Sequence, residues 1–88
     1  MEENRTEIEL LKSPCDLHGR NATNFYQFIQ SLETPVWIEK FSLSRVIDCS
    51  SLIAILSIGI VKDDEIKITA YDKKSLNDIV RYLNKLKN

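Results

Sequence analysis

His18 is the only histidine in the chain, and Gly19 and Arg20 follow it directly. Neutral imidazole is a nucleophile at physiological pH, so an accessible histidine can accept an electrophilic group and later release it. The residues after it have helical spacing, which sets the triplet immediately ahead of a helix N-terminus. Unpaired backbone amides and the positive dipole end favour an anion there. Arg20 supplies charge-assisted hydrogen bonds to anion oxygens, and Gly19 lets the backbone approach closely. Together these residues suit a phosphoryl group on His18. A loop histidine without chemistry of its own is the competing reading, and on the triplet alone it is the commoner case.

Other reactive residue types offer less. Ser50 and Ser51 precede the apolar run Leu52-Ile53-Ala54-Ile55-Leu56. Either hydroxyl suits a helix cap that accepts an orphan amide hydrogen. Cys15 and Cys49 are expected as reduced thiols rather than a bridge, Cys49 packing as a small hydrophobe and Cys15 lying in the loop before His18. One histidine and two distant cysteines make no zinc spacing, so neither metal nor cofactor is expected.

The 88 residues suit a single domain over 1–88, and 43% hydrophobic with 28% charged residues is ordinary globular composition. A core of this size leaves little room for a deep cavity, which favours a surface site. A net charge of −1 lacks the basic field of sequence-independent nucleic-acid binding. Met1-Glu2-Glu3-Asn4-Arg5 has no apolar signal core and no apolar run is long enough to span a bilayer, so a soluble cytoplasmic protein is expected, and it is taken as a monomer.

The elements that must position His18 follow from periodicity. Ile8, Leu10 and Leu11 among Glu7, Glu9 and Lys12 approximate a half-buried strand that Pro14 ends. Ala22, Phe25, Tyr26, Phe28, Ile29 and Leu32 form a helical stripe from Asn21, stopped at Thr34-Pro35. Val36-Trp37-Ile38-Glu39-Lys40 and Arg45-Val46-Ile47-Asp48-Cys49 predict two strands, joined by a loop longer than a two-residue turn. Leu52 to Gly59 is a short helix or a buried strand. Glu65 to Tyr71 alternates strictly, with Ile66 and Ile68 inward. Asp72 can cap a last helix with a stripe of Leu76, Ile79, Val80, Leu83 and Leu86, and Lys85 and Lys87 suit its C-terminal end. The order βαββαβα predicts an α+β open-faced sandwich, with helices on one face of a four-stranded antiparallel sheet.

Leu17-His18-Gly19-Arg20-Asn21-Ala22-Thr23 resembles the active-site segment of HPr, the histidine-containing phosphocarrier family of the bacterial sugar phosphotransferase system. Its usual run is a hydrophobic residue, His, Ala, Arg, Pro, Ala, Thr. The segment Ser51-Leu52-Ile53-Ala54-Ile55-Leu56-Ser57-Ile58-Gly59-Ile60 is similar to its regulatory-serine helix, and the last strand and helix follow in family order.

The resemblance implies that His18 accepts phosphate through Nδ1 from phosphorylated enzyme I and passes it to the A domain of a sugar-specific enzyme II, with Arg20 steadying the group. It implies that Ser51 is the target of an HPr kinase/phosphorylase, and that Leu52, Ile53 and Leu56 form the adjacent partner-docking patch. The protein would then be a carrier modified by enzymes rather than an enzyme. Asp16 stands where the family commonly has glycine, Gly19 where it has alanine and Asn21 where it has proline, and the Phe41 to Ser44 connection counts about two residues longer. Two other functions compete: an HPr-like regulator whose output is Ser51-dependent binding with little carrier activity, and a metabolite- or RNA-binding domain on the same fold.

Overall fold

The computed structural model describes residues 6–86. Met1 to Arg5 and Lys87, which enter the expectations above, lie outside this range. The elements run β1 (Glu7–Lys12), α1 (Gly19–Leu32), β2 (Val36–Lys40), β3 (Arg45–Asp48), α2 (Leu52–Ile58), β4 (Glu65–Ala70) and α3 (Lys73–Leu86), with a 3-10 turn at Phe41–Leu43 between β2 and β3.

The four strands form one sheet in the order β1-β4-β2-β3, every pair antiparallel. Directly paired residues share a face of the sheet, so the register Val36↔Ala70, Ile38↔Ile68 and Ile38↔Ile47 gathers buried side chains on one side. Onto that side pack Phe25 and Ile29 of α1, Ile55 and Ile58 of α2, and Leu76, Ile79 and Leu83 of α3, all in one core. The helices thus cover one face and leave the other open.

Local sequence accounts for most element ends. Glu33 closes α1 in the left-handed conformation, its N–H donating to the Gln30 carbonyl, and Pro35 follows. Ser44 turns the β2–β3 connection with φ of 49°. Of the two forms open to the run after Ser51, the structure takes the helix, closed by Gly59 at φ 68°. Asp72 caps α3, its Oδ1 accepting the Ser75 N–H at 2.7 Å.

Two expectations need correction. α1 begins at Gly19 rather than Asn21, because Gly19 has φ of +55° and turns the chain into the helix three residues before the apolar stripe starts at Ala22. In β1, Ile8 and Leu10 face the other way from the core. Ile8 and Leu10 pair with Thr69 and Lys67 on the open face and are 52% and 62% exposed, while Glu7 and Glu9 pair with Ala70 and Ile68 on the helix side. Only Leu11 of the three apolar residues packs against the core.

Candidate functional site

The segment between β1 and α1 alternates in burial. Ser13, Cys15 and Leu17 are buried, and this extended rhythm turns Asp16 and His18 outward. Ser13 is fully buried, and its hydroxyl is satisfied by donating to the Cys15 carbonyl at 2.7 Å. The Cys15 thiol points inward, with burial first and the Asp16 charge second raising its pKa. It is inert by environment, which removes the functional question its loop position posed. Burial also drives the Cys49 thiol far up, and both cysteines are free.

This segment is fastened to the connection between α2 and β4. Ser13 N–H donates to the Asp64 carbonyl at 2.8 Å, Asp63 N–H to the Ser13 carbonyl at 2.8 Å, and Leu17 N–H to the Ile60 carbonyl at 2.9 Å. The partner connection has its own brace: Lys40 Nζ donates to the Gly59 carbonyl at 2.7 Å and lies 3.1 Å from Asp64 Oδ2, which also accepts the Val61 N–H at 2.8 Å. The Val61 bond first, and then the bond and charge of Lys40, hold the Asp64 carboxyl below its ordinary pKa against the opposing effect of burial.

His18 stands at the end of this braced segment as the N-cap residue of α1, in extended conformation with φ −137° and ψ 169°. The first bond of the helix runs from Ala22 N–H to the His18 carbonyl at 3.3 Å, so the amides of the preceding turn lie ahead of the ladder. Its side chain makes no capping bond and is 56% exposed. Arg20 is exposed in the same turn. The structure therefore sets His18 and Arg20 together at one accessible helix start.

Asp16 ties the site together. Its Oδ1 accepts the Lys62 N–H at 2.7 Å, its carbonyl accepts Asn21 Nδ2 at 3.0 Å, and its Oδ2 lies 3.9 Å from His18 Nε2. Asn21 is thus a helix residue reaching back to the loop rather than a cap.

Ser51 lies at another helix start. It is the N-cap of α2, its Oγ accepting the Ala54 N–H at 3.2 Å, while Ser50 N–H donates to Asp48 Oδ1 at 2.9 Å. Ser51, not Ser50, is the cap. Leu52 is half-buried, whereas Ile53 and Leu56 are 78% and 44% exposed. α1 and α2 pack against each other, so the two helix starts belong to one layer.

Of the bracing residues Lys40, Lys62 and Asp64, the last two carried no signal in the sequence. For Lys40 one was present: strict alternation from Val36 and Ile38 puts it on the helix-facing side of β2, where a lysine needs a partner. Among the described residues no cluster of three His, Cys, Asp or Glu could hold a metal ion, and no helix is long and apolar enough to cross a membrane.

The model of the family described as "PTS HPr component phosphorylation site" matches residues 7–86, nearly the whole chain. The chain belongs to the HPr family. HPr proteins are phosphocarriers of the sugar phosphotransferase system, and the match spans every element from β1 to α3. Solved HPr structures carry the same fold. HPr from Bacillus anthracis superposes with a TM-score of 0.76 at 20% identity, over 97% of this chain and 100% of that one. HPr-C-His from Thermoanaerobacter tengcongensis gives a TM-score of 0.68 at 21% identity, over 96% of this chain and 99% of that one. No curated protein sequence matches the chain.

Proposed function

We propose that His18 is the phosphoryl acceptor of a carrier that is loaded by phosphorylated enzyme I and unloaded by the A domain of a sugar-specific enzyme II. The observation that carries this reading is the position of His18: an exposed imidazole at the N-cap of α1, on a loop fastened by hydrogen bonds to the connection after α2. A carrier must offer the same atom to two enzymes in turn. An accessible histidine on a fixed loop does this without a cavity.

Arg20 is the cation placed to steady the phosphoryl oxygens, and the amides of the first turn of α1 add donors of the same kind. Leu52, Ile53 and Leu56 form the docking edge on α2, of which Ile53 and Leu56 are the exposed part. Chemistry then resides in the partner enzymes and in the phosphoimidazole, and the chain itself is the substrate.

Incubation with phosphoenolpyruvate and a cognate enzyme I should give an acid-labile, alkali-stable phosphoprotein that is lost in His18→Ala. Absence of label on the unmodified protein rejects the reading.

A second reading, regulated binding through Ser51, is supported by one observation: Ser51 is exposed at the start of the short helix that also exposes Ile53 and Leu56. A phosphate there, the product of an HPr kinase/phosphorylase, adds about 1.5 to 2 negative charges at the docking edge. Ser51→Asp should then alter partner binding while His18→Ala leaves it unchanged.

A further inference from the structure

We propose that Asp16 is a positioning residue for His18, its carboxylate holding the ring proton on Nε2 so that the Nδ1 lone pair faces the incoming phosphorus. This rests on His18 being the acceptor, and it assigns a role to a carboxylate that the carrier reading does not otherwise use.

Three contacts limit where that carboxylate can go. Oδ1 is engaged by the Lys62 N–H at 2.7 Å, the Asp16 carbonyl is engaged by Asn21 Nδ2 at 3.0 Å, and the following residue is pinned through Leu17 N–H to the Ile60 carbonyl at 2.9 Å. With one oxygen committed, Oδ2 remains, 3.9 Å from Nε2. That separation is within ion-pair range and longer than a hydrogen bond, so the carboxylate acts on the Nε2 proton through its charge. Both side chains are slightly over half exposed, 56% and 54%, so the attraction is screened. A tautomer choice needs only a fraction of a kcal/mol, which a screened pair supplies. What lies beside one ring nitrogen decides which form the other takes, and a carboxylate draws the proton to its own side.

The transfer then balances simply. The Nδ1 lone pair attacks phosphorus, the nitrogen–phosphorus bond forms as the bond from phosphorus to the donor atom breaks, and the donor keeps that electron pair. The Nε2 proton stays in place throughout. The loaded ring, still protonated at Nε2, is cationic, and the carboxylate beside Nε2 stabilises it. A cationic ring departs as neutral imidazole when the next acceptor attacks, so the same contact serves unloading.

The test is the nitrogen-15 shifts of the His18 ring, recorded with the imidazole neutral, in the unmodified protein, Asp16→Asn and Asp16→Gly. Asparagine keeps an oxygen for the Lys62 N–H but loses the charge, so it separates bracing from tautomer control. The expected result is a predominantly Nε2–H ring in the unmodified protein, and a several-fold larger Nδ1–H share in both variants. Phosphorylation by enzyme I should slow by about two- to threefold in Asp16→Asn, the change that a fraction of a kcal/mol carries, at an unchanged thermal midpoint. An unchanged tautomer ratio in both variants overturns the proposal. Absence of label on the unmodified protein, with a tautomer ratio that does respond, rejects the carrier reading instead and leaves the Asp16–His18 coupling established.

Discussion

Asn21, inside the first turn of α1, donates through Nδ2 to the carbonyl of Asp16 at 3.0 Å, crossing back over the residue that caps its own helix. The helix start and the loop before it are thereby one unit, although Asn21 occupies the place where the family usually has a proline. Proline would fix φ at this turn but has no side-chain donor for that carbonyl. The substitution exchanges a stiff backbone for a hydrogen bond.

Asn21→Ala removes this bond from an exposed carbonyl that water can reach. The expected loss is about 0.5 to 1 kcal/mol in urea unfolding, with the m value unchanged. Asn21→Pro should recover part of it by stiffening the unfolded chain, provided the first turn tolerates the ring.

Gly19→Ala should cost more than its open surroundings imply. A Cβ at Gly19 meets no atom within 4 Å, so sterics with neighbours are absent, but the φ of +55° remains. Holding a non-glycine residue there costs about 1 kcal/mol, read as a lower thermal midpoint. If α1 instead starts one residue later in the variant, hydrogen exchange at its first amides will rise without a matching fall in global stability.

Ser51 performs a structural duty whether or not it is modified. Ser51→Ala should destabilise by about 1 kcal/mol, because the Ala54 N–H loses its acceptor. Ser51→Asp should keep stability, since aspartate caps as well as serine does. Any binding change in the aspartate variant therefore reports charge rather than a frayed helix.

The Asp64 carboxylate gives a pH dependence of definite sign. Its pKa in the folded chain is depressed, so its contribution is complete above the unfolded value near 4 and disappears as pH falls through the folded value. Asp64→Asn should lose about 1 kcal/mol at pH 7, and the gap to the unmodified protein should narrow progressively as pH falls below about 4. A gap that persists at low pH would place the effect in packing.

Cys15 and Cys49 should resist thiol reagents at pH 8 until the chain unfolds, since burial raises both pKa values and leaves little thiolate. Labelling kinetics followed across a urea titration should track global opening.

Most of the fold was legible because each element carries its own period. The stripe Leu76, Ile79, Leu83 and the alternation Ile66, Ile68 are local facts, and the structure buries these residues. The direction of β1 was not legible. Alternation defines two faces but not which is inward, and the pairing with β4 decides it. The position of His18 ahead of a helix could be read from neighbours. The anchoring of Asp16 could not, because its partner is the backbone of Lys62, 46 residues away, and a main-chain donor leaves no trace in side-chain identity.

The β1 register also bears on the order in which the fold can close. β2 and β3 are joined by a short turn, so their pairing needs little chain, whereas β1 pairs only with β4 and sits at the sheet edge. During synthesis β1 is without its partner until Glu65–Ala70 emerges. Throughout that interval the site loop lacks its anchors at Ile60, Lys62 and Asp64 as well, so His18 acquires its final surroundings only when the sheet is nearly complete.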